Sequence, residues 1–174
     1  MNSSPQAIEQ TITDIAAEVG KRLAAHGWML VTAESCTGGW AGQAITAISG
    51  SSAWYERGFI TYSNASKHEM LGVQQSTLDQ FGAVSPQTAT EMAAGALGRS
   101  HAHISVSITG IAGPDGGTAA KPVGMVCFAW AHKCGLVKQE THYFSGNRDT
   151  IRGQAVITAL QGVLTLVEET PLIA

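Results

Sequence analysis

Apolar and polar positions along this chain switch repeatedly between the periods of a helix and of a strand. Ile8, Ile12, Ile15, Val19 and Leu23 recur at helical spacing, with Ser4 as N-cap, Pro5 at the first helical position and Gly27 at the end. Trp28 to Ala33 is a short apolar run that reads as a buried strand. It breaks at Glu34-Ser-Cys-Thr-Gly-Gly39, and Trp40 to Ile48 returns to a helical pattern. Gly58 to Ser63 reads as a second strand, and Asn64 is the expected N-cap of a short helix that Gly72 stops after Leu71. A further short helix opens at Ser76 and closes at Gly82. Ser85-Pro86 then starts a longer one that turns Ala89, Met92, Ala93, Ala96 and Leu97 inward. Ile104, Val106 and Ile108 alternate as in a strand. Beyond the glycine-rich Gly110 to Gly117, a strand over Gly124 to Ala131 is expected to pair as a hairpin with Gln139 to Phe144. The last helix, from about Asp149 to Glu168, buries Ile151, Ala155, Ala159, Val163 and Leu166.

Helices and strands alternate without a linker or a shift in composition. The pattern predicts an α/β fold, a three-layer α/β/α sandwich around a mostly buried mixed sheet, as one domain over residues 1–174. Hydrophobic residues make up 44% and charged residues 13% of the chain, about half the usual charged share. A surface so poor in charge is expected to be partly hidden in a homo-oligomer. The net charge of −3 and the scattered Lys and Arg give no patch for nucleic acid and no polybasic signal for a membrane. No uninterrupted apolar run approaches the ~18 residues of a membrane span, and the acids within the first helical pattern argue against a signal peptide. Cys36, Cys127 and Cys134 form no CxxC pair. They point to a reducing compartment, hence a cytoplasmic location, and to neither disulfides nor a zinc site.

Three segments carry more Gly, Ser and Thr beside strand ends than turns require. The first is Glu34-Ser-Cys-Thr-Gly-Gly39, at the carboxyl end of a strand, where ligands collect in open α/β folds. The hydroxyl of Ser35 suits a nucleophile, with the Cys36 to Gly39 amides offered to an oxyanion. By spacing alone Ser35 and Thr37 read first as helix caps, and Cys36 is the competing nucleophile. The second segment is Thr61-Tyr-Ser-Asn-Ala-Ser-Lys67. With Asn64 as cap, Lys67 falls in the first helical turn, where the helix dipole disfavours its charge. Burial acts in the same direction, towards a neutral amine that accepts a proton; the alternative is a solvated surface lysine. Tyr62 either shares protons with Lys67 or packs on the sheet. The third segment, Thr109 to Gly117, suits a ligand-facing loop through Thr109, Gly110 and Gly113 but matches no phosphate-binding signature. Arg148 and Arg152 suit a phosphate or surface ion pairs, and Glu34 and Asp115 suit ribose or amide groups or plain solvation. No HExxH, GxSxG or metal-ligand spacing is present, so the expected site holds no metal and needs no cofactor.

Taken together, Ala33-Glu-Ser-Cys-Thr-Gly-Gly39, Gly50-Ser-Ser-Ala-Trp54, Thr61-Tyr-Ser-Asn-Ala65 with Lys67, Gly82-Ala-Val-Ser85, Ile108 to Gly117 and Lys121-Pro-Val-Gly124 make a specific pattern. The chain resembles the CinA C-terminal family over about residues 8–168. Stand-alone members of that family are nicotinamide-nucleotide amidases. The resemblance implies hydrolysis of the carboxamide of nicotinamide mononucleotide, a small-molecule substrate, to nicotinate mononucleotide and ammonia, in pyridine nucleotide recycling. It also implies a Ser-Lys dyad assisted by a tyrosine, which falls on Ser35, Lys67 and Tyr62. Thr109 and an arginine of the last helix would help bind substrate. The family's Gly-Asp-Arg before that helix reads Gly146-Asn147-Arg148 here, which leaves open whether Arg148 or Arg152 takes the phosphate. Longer relatives carry an N-terminal domain resembling molybdopterin-binding proteins, and no activity tied to it is expected. The alternatives are a non-catalytic nucleotide-binding module and a serine amidohydrolase for another small amide.

Overall fold

Ser4 accepts a hydrogen bond from the Ala7 amide and opens helix α1, Pro5–His26. The computed structural model describes residues 4–170, so the first three and last four positions of the expected domain lie outside the described residues. At the end of α1 the Gly27 and Trp28 amides turn back onto the Ala24 and Leu23 carbonyls. That closure consumes residues the apolar pattern assigned to a strand, and β1 runs over Leu30–Glu34 instead of starting at Trp28. Helix α2 spans Trp40–Thr46, and β2 spans Tyr55–Ile60 rather than Gly58 to Ser63. β2 is a sheet edge with much of its length exposed, so its apolar pattern is a weak guide to register. Ser63 is thereby freed to cap α3, Asn64–Leu71, in a capping box with Ser66; the cap is Ser63 and not Asn64.

Helix α4, Gln75–Phe81, has no side-chain cap of its own. Glu91 on α5, Pro86–Gly98, supplies one from a distance by accepting the Gln74 amide at 2.7 Å and the Thr77 hydroxyl at 2.6 Å. The start expected at Ser76 is therefore displaced by a contact that local sequence does not contain. Strands β3, Ile104–Gly110, β4, Met125–His132, and β5, Val137–Tyr143, complete the sheet, and α6 covers Arg148–Glu169.

The five strands lie in the order β2-β1-β3-β4-β5, with β2, β1 and β3 parallel to one another and β4 antiparallel to both of its neighbours, β3 and β5. This is the mixed sheet of a three-layer sandwich. One face of β3 presents Ile104, Val106 and Ile108 to α1 and α6, in the core with Leu23, Ile151, Ala155, Ala159 and Val163. On its other face Ser105 and Ser107 donate to the Ala93 and Ala89 carbonyls of α5 at 2.8 and 2.6 Å. Small, bonded side chains let that alanine-rich helix lie close, and a Cβ at Gly95 would overlap the Leu71 carbonyl. By length and composition α6 is apolar enough to cross a membrane, but half of its most apolar window is buried inside the fold.

Candidate active site

The parallel pairing of β1 with β3 carries the chain straight into the first glycine-rich segment. The Ser35 amide donates to the Ile108 carbonyl at 2.9 Å, which fixes Ser35 at the strand's carboxyl end. Glu34, fully buried, then organises the turn. Its carboxylate accepts from the Thr37 hydroxyl at 2.6 Å and from the Gly39, Ala41 and Gly42 amides at 3.0, 3.1 and 2.8 Å. It thus caps α2, whose own N-cap residue, Gly39, has no side chain to do so. Gly39 sits at φ 99°, and a Cβ there would meet Ile60 at 3.0 Å. The Gly38 amide closes on the Ser35 carbonyl and the Trp40 amide on that of Thr37. Among the described residues this leaves the Cys36 and Thr37 amides as the two of this turn without an acceptor on another residue.

Lys67 arrives from α3. Its Nζ donates to Ser35 Oγ at 3.0 Å and to the Thr61 carbonyl at 2.7 Å. The side chain is 1% exposed, and among the described residues no carboxylate lies within ion-pair distance. Burial pulls its pKa from 10.5 down to about 8. Burial pushes the neighbouring Cys36 thiol the opposite way, up to about 12, with the Glu34 charge adding to the rise. A thiol held protonated and packed in the core is a poor nucleophile.

A pocket of about 250 Å³ opens in front of this pair. It brings together Ser35, Cys36, Tyr62, Lys67, Thr109, Gly110 and Arg148 from the expected set, and adds Ala83, Val84 and Ala112. Arg148, at the start of α6, donates to the Gly113 carbonyl at 2.8 Å and to the Tyr62 hydroxyl at 3.1 Å. Tyr62 is 63% exposed at the mouth and is bonded to Arg148, not to Lys67. Thr109 Oγ1 donates to the Ala83 carbonyl at 2.7 Å and anchors the opposite wall. Lys121 Nζ holds the same wall from outside through the Phe81 and Val84 carbonyls.

Other expected residues serve elsewhere. Glu34, Thr37, Gly38 and Gly39 build the turn behind Ser35 rather than the pocket surface. Gly113 acts through its carbonyl, and Asp115 stands exposed on the outer loop. Arg152 donates to the Cys36 and Thr37 carbonyls, at 3.1 Å each, so of the two arginines only Arg148 lines the pocket. The Thr61 carbonyl and the Ala83–Val84 wall were missed by sequence reasoning. Gly82-Ala-Val-Ser85 is a recognisable motif, but a main-chain acceptor such as Thr61 leaves no trace in residue identity. Among the described residues, no group of three or more His, Cys, Asp or Glu is placed to hold a metal ion.

The CinA C-terminal domain family matches residues 12–167. Nicotinamide-nucleotide amidohydrolase PncC of Enterobacter agglomerans is 53% identical over 156 residues, covering 90% of this chain and 95% of the relative. The protein of the same name from Escherichia coli K12 is 52% identical, covering 88% and 93%. The crystal structure of the competence/damage inducible protein CihA from Agrobacterium tumefaciens superposes with a TM-score of 0.88 at 47% identity, covering 91% and 96%. The chain belongs to the CinA C-terminal domain family.

Proposed function

We propose that this protein hydrolyses the carboxamide of nicotinamide mononucleotide to nicotinate mononucleotide and ammonia, with Ser35 as nucleophile and Lys67 as its base. The names of the relatives support the substrate. The observation that carries the chemistry is the 3.0 Å contact between Lys67 Nζ and Ser35 Oγ, made by a buried lysine without a carboxylate partner.

Neutral Lys67 takes the Ser35 proton as Oγ bonds to the amide carbon. The carbonyl oxygen becomes an oxyanion, to which we assign as donors the two turn amides without an acceptor on another residue; of those two residues Cys36 lines the pocket. Lys67 returns its proton to the departing nitrogen, the C–N bond breaks, and ammonia leaves an ester on Ser35. Water then attacks that ester, giving a proton to Lys67. The C–Oγ bond breaks, the carboxylic acid is released, and the Lys67 proton goes back to Ser35. Arg148, beside Tyr62 and without a carboxylate partner among the described residues, is the group we assign to the phosphate.

The test is ammonia release from nicotinamide mononucleotide by the purified protein, with and without EDTA, against a panel of small amides. Release that Ser35→Ala abolishes supports the reading. Binding without release points to a nucleotide-binding module, and preference for another amide keeps the dyad but replaces the substrate. The same reading takes the enzyme to be cytoplasmic and homo-oligomeric, and sedimentation velocity checks the latter.

A further inference from the structure

Arg152 carries a cation on α6 one turn beyond Arg148, yet it donates to two successive backbone carbonyls of the nucleophile turn. Nε reaches the Cys36 oxygen and Nη2 the Thr37 oxygen, both at 3.1 Å. The guanidinium is itself held in place. Its carbon lies 5.4 Å from the Trp40 ring centroid, and Nη1 is 3.6 Å from Asp149. Asp149 is largely exposed, so that ion pair orients the group more than it stabilises the fold.

A trans peptide is planar, and its N–H points opposite to its C=O. The peptides of this turn are trans, since Gly113-Pro114 is the cis bond found among the described residues. Fixing the Cys36 carbonyl therefore fixes the direction of the Thr37 N–H. Fixing the Thr37 carbonyl fixes the Gly38 N–H, which bonds the Ser35 carbonyl at 3.0 Å. That bond in turn sets the plane carrying the Cys36 N–H. Of the two amides without an acceptor on another residue, that of Thr37 takes its direction from the Cys36 carbonyl that Arg152 holds. That of Cys36 depends on Arg152 through Gly38, with the Trp40 amide sharing the hold on the Thr37 carbonyl at 3.1 Å. Glu34 grips the amides that follow, those of Gly39, Ala41 and Gly42, so the backbone after Ser35 is held by a guanidinium on its carbonyls and by a buried carboxylate on the next N–H groups along.

We propose that Arg152 is a positioning residue that aims the oxyanion-binding amides behind Ser35, and is not part of the grip on the phosphate. The proposal rests on the acyl-enzyme reading above, and its test is built to separate the two. Arg152→Gln and Arg152→Lys are assayed on nicotinamide mononucleotide and on the corresponding nucleoside, which lacks the phosphate. The rate at which a fluorophosphonate labels Ser35 is measured in parallel. In that reaction Oγ bonds to phosphorus, fluoride leaves, and Lys67 takes the proton.

Losing an oxyanion donor outright costs about 100–1,000-fold in kcat, so a misaimed pair is expected to cost about 10–100-fold. A positioning role predicts that loss in kcat on both substrates, KM within about twofold, and labelling slowed to a similar degree. Arg152→Lys keeps the cation but not the planar fork, so it should share the loss. It also serves as the comparison if Arg152→Gln melts too low to assay. A KM rise confined to the mononucleotide, with labelling at the native rate, would overturn the proposal, as would full turnover by Arg152→Lys. If the native protein releases no ammonia from the mononucleotide, the substrate reading fails while the labelling comparison still decides the role of Arg152.

Discussion

Lys67 Nζ and Ser35 Oγ meet at 3.0 Å across 32 positions of chain, and a second Lys67 bond runs to the Thr61 carbonyl at 2.7 Å. A carbonyl can only accept, so one N–H of Lys67 is committed in either protonation state. When Nζ loses the proton directed at Ser35, the lone pair left behind faces the hydroxyl. The geometry thus prepares the neutral amine for the one proton it has to take.

The pH dependence of turnover follows from the lowered pKa of Lys67. With a value of about 8, only about one-tenth of the amine is neutral at pH 7. kcat/KM is expected to rise close to tenfold per pH unit below that value and to level off above it. A profile flat between pH 6 and 9 would remove Lys67 from the role of base.

Lys67 also leaves a mark on stability. Its folded pKa lies below the unfolded value of 10.5, so the unfolded chain binds more protons between about pH 8 and 10.5, and stability from this group rises with pH across that window. The cost of burying the charge, about 3 kcal/mol at most, is present in full below pH 8 and gone above 10.5. Lys67→Met should be inactive, and its melting temperature relative to the native protein should be highest below pH 8 and fall as the pH rises. Lys67→Arg should be nearly inactive as well, since arginine keeps its proton throughout this range. Thermal melts across pH, with parallel rate assays, check both.

The two possible nucleophiles at positions 35 and 36 separate cleanly. Ser35→Ala should abolish turnover and leave the melting temperature nearly unchanged. Cys36→Ala should retain activity within a few fold, because the thiol is protonated up to about pH 12 and only its backbone amide is assigned a part. The buried sulfur it loses should appear as a stability cost of about 1–2 kcal/mol in denaturant titrations. An inactive, well-folded Cys36→Ala would transfer the nucleophile to sulfur.

Arg148→Gln addresses the phosphate. Removing this cation from the pocket mouth should raise KM for the mononucleotide about 10–100-fold while kcat changes little. The same variant should lose far less on the nucleoside. Equal losses on both substrates would assign Arg148 to ordering the Gly113 loop, whose carbonyl it also holds.

Residue order alone was enough for the features that depend on short-range periodicity and on residue type. The inward face of α6, the alternation of Ile104, Val106 and Ile108, and the caps at Ser4 and Ser85 are local patterns, so they survive in sequence. The motif around Ser35 and the misplaced charge of Lys67 were legible for the same reason. The partners across the fold were not. Whether Glu34 faces substrate or caps α2, and whether Arg152 holds a phosphate or two carbonyls, depends on which groups the sheet brings within hydrogen-bond distance. The start of α4 waits on Glu91, and the basicity of Lys67 waits on its burial beside β1. Sequence identifies groups able to take or give a proton. Desolvation and the direction of a hydrogen bond are properties of neighbours in space, and only the folded chain supplies them.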